Sequence, residues 1–143
     1  MSNDFKVIIN GQNIDNGQKI IFEKSQDVPK PIFDIGDNEY YTIAMVDPDA
    51  PSRENPIYKY FLHMLIVNNY QTLVSFQPPS PPKGSGYHRY FFFLLKQPKY
   101  IDQNIWKQQI NNNSIRREKF NLSEFISDNK LTVIASTYFK TKR

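Results

Sequence analysis

The chain has 143 residues, 15% of them aromatic, with five glycines, no cysteine and a net charge of +4. This composition excludes a fibrous or disordered chain, a disulfide scaffold, thiolate chemistry and a cysteine-ligated metal. The length suits one domain, residues 1–143, with a buried core.

"FKVII" (5–9) and "KIIFE" (19–23) read as strands flanking the polar turn "NGQNIDNG". Residues 25–39 form a proline-punctuated connection. "YYTIAMV" (40–46) is continuously apolar, as expected of a strand covered on both faces. "YFLHMLIV" (60–67) is similar: strict alternation places Phe61, His63, Leu65 and Val67 on one face and Tyr60, Leu62, Met64 and Ile66 on the other. "HRYFFFLLK" (88–96) sets His88, Tyr90, Phe92 and Leu94 against Arg89, Phe91, Phe93 and Leu95. Between these two strands lies the Pro- and Gly-rich loop "SFQPPSPPKGSGY" (75–87).

Residues 101–113 read either as a short helix or as a surface excursion. "LSEFISDN" (122–129) reads as a helix capped by Asn121, with Glu124 at the reciprocal position. "LTVIASTYF" (131–139) is the last strand. The fold class is mainly β, with two packed, largely antiparallel sheets and one or two short helices.

Basic residues gather late, at Arg116, Arg117, Lys119, Lys140, Lys142 and Arg143. They read as a solvated face, or as an attraction to anionic membrane or an acidic partner. No aromatic-basic interleaving supports nucleic acid as a partner. The start "MSNDFK" has no basic-then-apolar leader, and no apolar run approaches the roughly 18–20 residues that cross a bilayer. A soluble, cytoplasmic protein is expected.

Polar groups accompany the three most apolar strands. Asp47 and Asp49 leave the first, His63 lies in the second, and His88 and Tyr90 open the third. Imidazoles and a phenol donate to anion oxygens, and a carboxylate orients an imidazole, so convergence of these groups would make an anion pocket. The plainer readings stay open at this point. By spacing alone His63 is a hydrogen-bonded core residue, Tyr90 packs, Asp47 makes a turn, and Asp49 pairs with Arg53 or Arg89. A metal site lacks ligand spacing. Hydrolysis lacks a placed nucleophile, since Ser52, Ser80 and Ser85 flank the region without a nucleophile elbow.

"DPDAPSR" (47–53), "YKYFLHMLIVN" (58–68) and "PPKGSGYHRYFFFLL" (81–95), in that order, resemble the phosphatidylethanolamine-binding protein family. That family includes the Raf kinase inhibitor proteins and the plant flowering-time regulators. The likeness is strong over residues 40–96, weaker over 5–39 and patchy towards the end.

The resemblance implies a mainly antiparallel β fold with a small cavity for phosphate, acetate or phosphorylethanolamine. Asp47, His63, Pro81, His88 and Tyr90 would line it. Asp49, Arg89, Ser80 and Gly86 would support its wall, and Tyr58 its rim. Pro51 would follow a cis bond from Ala50. Ser80 stands where the family usually has glycine. Leu62 and Phe61 replace the second histidine and the tryptophan of many animal members. The C-terminal helix of animal members does not follow the last strand, which implies a more open cavity.

The function so implied is non-catalytic binding of a phospholipid headgroup or another phosphate-like anion, without cofactor or metal and coupled to regulation of a partner. An inhibitor of a kinase or protease acting through the pocket rim is the alternative, and a weak hydrolase the third reading. Peripheral contact with anionic membrane fits the charge.

Overall fold

The computed structural model describes residues 5–36, 38–50, 60–104, 106, 117–118 and 120–143. Nine strands occur among them: β1 Lys6–Ile9, β2 Gln12–Asn13, β3 Gln18–Lys19, β4 Lys30–Ile32, β5 Tyr40–Asp47, β6 Phe61–Val67, β7 Gln71–Val74, β8 His88–Gln97 and β9 Thr132–Thr141. They form a three-stranded sheet, β2-β1-β4, and a six-stranded sheet, β3-β9-β8-β5-β6-β7. Only the β3–β9 pairing is parallel.

The continuous apolar runs have a direct cause. In β5, Tyr41, Ile43 and Met45 face the small sheet, packing with Val7 and Ile9 of β1. Ala44 and Val46 face the opposite layer, where Leu122 and Phe125 pack. With both faces of the central strands covered, neither parity can be polar. The faces expected for β8 follow the same division, with Tyr90, Phe92 and Leu94 in one cluster and Leu95 in the other.

The one α-helix of full length among the described residues, α1, spans Leu122–Asn129. Asn121 Oδ1 accepts from the Glu124 backbone N–H at 2.9 Å, and Asn121 Nδ2 donates to Glu124 Oε2 at 3.3 Å. The expected cap is therefore formed. Lys130 ends the helix in the left-handed region, at φ 53°.

Two expectations need correction. Residues 19–23 are not a strand: Gln18 and Lys19 pair with β9, and the chain then enters a 3-10 turn at Phe22–Gln26. There Lys24 N–H and Ser25 N–H both donate to Ile21 O, which takes the backbone out of the ladder. Strict alternation in β6 also fails. Met45 pairs with Met64, but its neighbour Val46 pairs with Leu62, so His63 is an extra residue in the ladder. Leu62 consequently packs with Leu65 and Val67, whereas Met64 packs on the other face with Met45. This β-bulge re-aims the histidine. Of 101–113, residues 101–104 and 106 are described, and Gln103, Asn104 and Trp106 are helical.

A buried polar network ties the end of the sheet remote from Asp47. Gln97 Oε1 accepts from Thr42 Oγ1 (2.7 Å) and Asn68 N–H (2.9 Å), and Gln97 Nε2 donates to Asn68 Oδ1 (2.8 Å). Each group is satisfied, so burial of these amides is tolerated.

Candidate functional site

The site begins where β5 ends. Pro48 has no backbone N–H, and the Asp47 carboxylate reaches across it: Oδ1 accepts from Asp49 N–H at 2.7 Å. The other oxygen, Oδ2, accepts from His88 Nδ1 at 2.8 Å, and both side chains are almost fully buried. Asp47 thus does two things: it fixes the strand exit and orients an imidazole 41 residues away.

Asp49 ties the same exit to β8. Its carboxylate accepts from Arg89 N–H (2.9 Å), Nε (2.9 Å) and an Nη (2.8 Å). The counter-ion among the described residues is therefore Arg89, joined through a two-pronged contact that also sets the register of β8. Arg53, Pro51, Tyr58 and the Ala50–Pro51 bond lie outside the described residues.

The bulge brings His63 to the same side as Tyr90, with ring centroids 5.2 Å apart and edge to face. His63 Nδ1 lies 2.6 Å from Gln77 O, and Gln77 N–H donates back to His63 O at 2.8 Å. A carbonyl only accepts, so the Nδ1 proton is fixed and Nε2 is the nitrogen left for a ligand. Burial holds His63 below the usual imidazole range, opposed by the Gln77 bond and by Asp47. Tyr90 is held above the usual phenol range, first by burial and then by Asp47 and Asp49. Its hydroxyl keeps its proton and has no protein hydrogen-bond partner among the described residues.

Prolines have no N–H to give a strand ladder, and side chains pin the carbonyls of the 75–87 loop instead. Gln26 Nε2 donates to Pro79 O (2.8 Å), Arg143 Nε to Pro81 O (3.0 Å), and an Arg143 Nη to Ser80 Oγ (2.9 Å). Arg117 is turned inward rather than lying on a solvated basic face. Its guanidinium donates to Leu62 O and His63 O (both 3.1 Å) and to Ser75 O (2.6 Å), clamping the bulge to the loop. Arg116 and Lys119 lie outside the described residues.

Together these contacts enclose a cavity of about 150 Å3. The candidate ligand residues Asp47, His63, Pro81, His88 and Tyr90 line it, and so does Ser80, a candidate for its support. Ala50, Phe61, Gln77, Pro78 and Pro82 also line it and were not anticipated. Pro82 stands in the recognised motif, whereas nothing in the sequence marks Gln77. Asp49 and Arg89 form the ion pair behind the wall. Gly86 is in the loop at φ 83°, outside the lining, where it gives the backbone a left-handed step before β8.

Ser85 was not expected to meet a base, yet its Oγ lies 3.0 Å from His88 Nε2. Serine, histidine and aspartate thus stand in line. The hydroxyl also reaches Pro82 O at 2.7 Å, so that carbonyl and the imidazole compete for its one hydrogen. A hydroxyl shared in this way is not committed to the base as an activated nucleophile is.

The fold is mainly β, with two sheets and a small cavity at the strand ends. Residues 6–139 match the family described as phosphatidylethanolamine-binding protein, and the chain belongs to that family. It is 38% identical over 66 residues, 44% of its length, to Protein TWIN SISTER of FT from Arabidopsis thaliana. Matched stretches span between 14% and 37% of the curated relatives' lengths.

Among solved structures, it is similar to a carboxypeptidase Y inhibitor complexed with its cognate proteinase. That likeness has TM-score 0.78 and 25% identity, covering 96% of this chain and 82% of that one. The phosphatidylethanolamine-binding protein from Plasmodium vivax has TM-score 0.78 and 22% identity, covering 100% and 86%, which speaks for the fold.

Proposed function

We propose that this chain binds a small phosphate-type anion, such as a phospholipid headgroup, without catalysing its turnover, and that binding regulates a partner. The observation that carries this reading is the convergence of Asp47, His63, His88 and Tyr90, from three strands, on one cavity. Its volume equals that of about five liquid waters, so a tetrahedral anion fits and an acyl chain does not.

Three or four charge-assisted hydrogen bonds contribute roughly 1.5–3 kcal/mol each, against an association cost of about 4–15 kcal/mol. A headgroup alone therefore binds weakly, in the region of about 1 mM. Pro82 O, 2.7 Å from Ser85 Oγ, competes with His88 for the hydroxyl hydrogen, which supports the non-catalytic reading. Titrating phosphate and phosphorylethanolamine by NMR into the native chain, His63→Ala and His88→Ala tests it. Binding lost in both variants is the expected result, and binding unchanged in both would overturn the reading.

The similarity to a carboxypeptidase inhibitor supports a second reading, in which the pocket rim contacts a protease. Inhibition of a serine carboxypeptidase that survives both histidine substitutions would favour that reading and separate it from the cavity.

A further inference from the structure

Arg143 links the pocket to a second hollow. It holds Ser80 and Pro81 of the pocket, and it also lines a groove of about 460 Å3 together with Lys19, Phe22, Lys83, Tyr87 and Lys142. Lys19 Nζ and Lys142 Nζ lie 4.9 and 4.8 Å from the centroid of the same ring, that of Tyr87. The two ammonium groups are thus no farther apart than about 10 Å, one Debye length at 0.1 M salt. The Arg143 guanidinium covers Phe22, 5.1 Å from its centroid.

Glu23 is the one acidic side chain lining this groove. Among the described residues, none of the four cations is within ion-pair distance of a carboxylate, whereas Lys96 and Arg89 are both paired. Like charges gathered in a concave wall repel one another and focus a positive potential. An entering anion relieves that repulsion.

We propose that the groove is a second anion subsite, linked to the pocket through Arg143, so that the protein prefers small ligands carrying two or more phosphates. One phosphate occupies the His63–His88 cavity and another meets Lys19, Lys142 and Arg143, the arginine being bonded to Ser80 and Pro81 of the cavity. The inference rests on the pocket reading above. Concavity favours a compact polyphosphate over a flat membrane face, and flexible lysines over an aromatic floor suit phosphate as a point charge. A polyphosphorylated lipid headgroup and a free polyphosphate share this chemistry.

Calorimetry with inorganic phosphate and with tripolyphosphate tests it on the native chain, on Lys19→Gln/Lys142→Gln, and on Lys6→Gln/Lys30→Gln as a charge-matched control on the small sheet. Tripolyphosphate should bind the native chain about tenfold or more tighter than phosphate, through the added charge-assisted contacts. The groove variant should lose that gain while keeping phosphate binding, and the control should keep both. No gain in the native chain, an equal loss in the control, or equal binding of an oligoglutamate peptide would each overturn the proposal.

Phosphate bound without a gain from the second group means the groove fails and the pocket stands. Lysine-dependent tripolyphosphate binding without phosphate binding means the reverse. Capture by phosphatidylcholine vesicles containing a phosphatidylinositol bisphosphate, lost in the groove variant, assigns the lipid source. Binding confined to soluble tripolyphosphate assigns the free one.

Discussion

Ser85 Oγ lies 3.0 Å from His88 Nε2 and 2.7 Å from Pro82 O, so a loop hydroxyl occupies the imidazole nitrogen that faces away from Asp47. An anion bound through His88 must displace that hydroxyl. Ser85→Ala should therefore strengthen binding of phosphate by the loss of one competing hydrogen bond, about 0.5–1.5 kcal/mol, or several-fold in Kd. An NMR titration of the His88 ring checks this. Weaker binding in the variant would mean that the hydroxyl belongs to the ligand cage. Ester turnover abolished by the same substitution would restore the nucleophile reading.

Asp49 is buried, whereas Arg89 keeps about a third of its side chain exposed. Removing the arginine strips a buried carboxylate of two charge-assisted hydrogen bonds, which costs more than the pair itself contributes. Arg89→Met should destabilise the fold by about 3 kcal/mol. Arg89→Lys should recover little, because one ammonium cannot reproduce the two-pronged contact. Urea unfolding of the three proteins decides it, and a lysine variant as stable as the native chain would count against this account.

How much of this was legible in the sequence depends on where the cause lay. β5, β6 and β8 announce themselves because both faces are covered, and α1 because Asn121 and Glu124 cap it within the sequence itself. The Asp47–His88–Tyr90 grouping was recognisable through motif likeness, not through spacing. The bulge was invisible, since a ladder skip depends on the partner strand: only pairing with Met45 and Val46 shows that His63 is the extra residue. Lys19–Glu23 looked like a strand because Ile20, Ile21 and Phe22 are apolar, yet the neighbouring β9 offers pairing to only two residues there. Gln77, Arg117 and Arg143 act through carbonyls of distant residues, for which side-chain type carries no signal.

His63 makes stability depend on pH with a definite sign. Burial lowers its folded value below the ordinary 6.5, so in the window beneath 6.5 the unfolded chain binds more protons than the folded one. Stability is full above that window and falls as pH drops through it, by at most about 1.4 kcal/mol per pH unit for one proton. His63→Gln removes this contribution. Denaturant melts between pH 5 and 8 should show a shallower acid slope in the variant, and identical slopes would refute the assignment.

Binding carries the opposite dependence. With Nδ1–H committed to Gln77 O, neutral His63 turns the lone pair of Nε2 to an incoming anion, and only a second proton makes that atom a donor. Arg117, which holds the His63 and Ser75 carbonyls, faces this imidazole and disfavours that proton. Asp47 favours it, and a bound anion adds to Asp47's side. Sulfate, whose charge is constant between pH 5.5 and 8, isolates the protein's contribution. Its affinity should rise on acidification, with an upper limit of about tenfold per pH unit for uptake of one proton. His63→Ala should flatten most of that rise. Arg117→Gln should shift its midpoint upward by removing the opposing charge. Equal sulfate affinity at both ends of the range in the native chain would show that His63 takes no part in the pocket's chemistry.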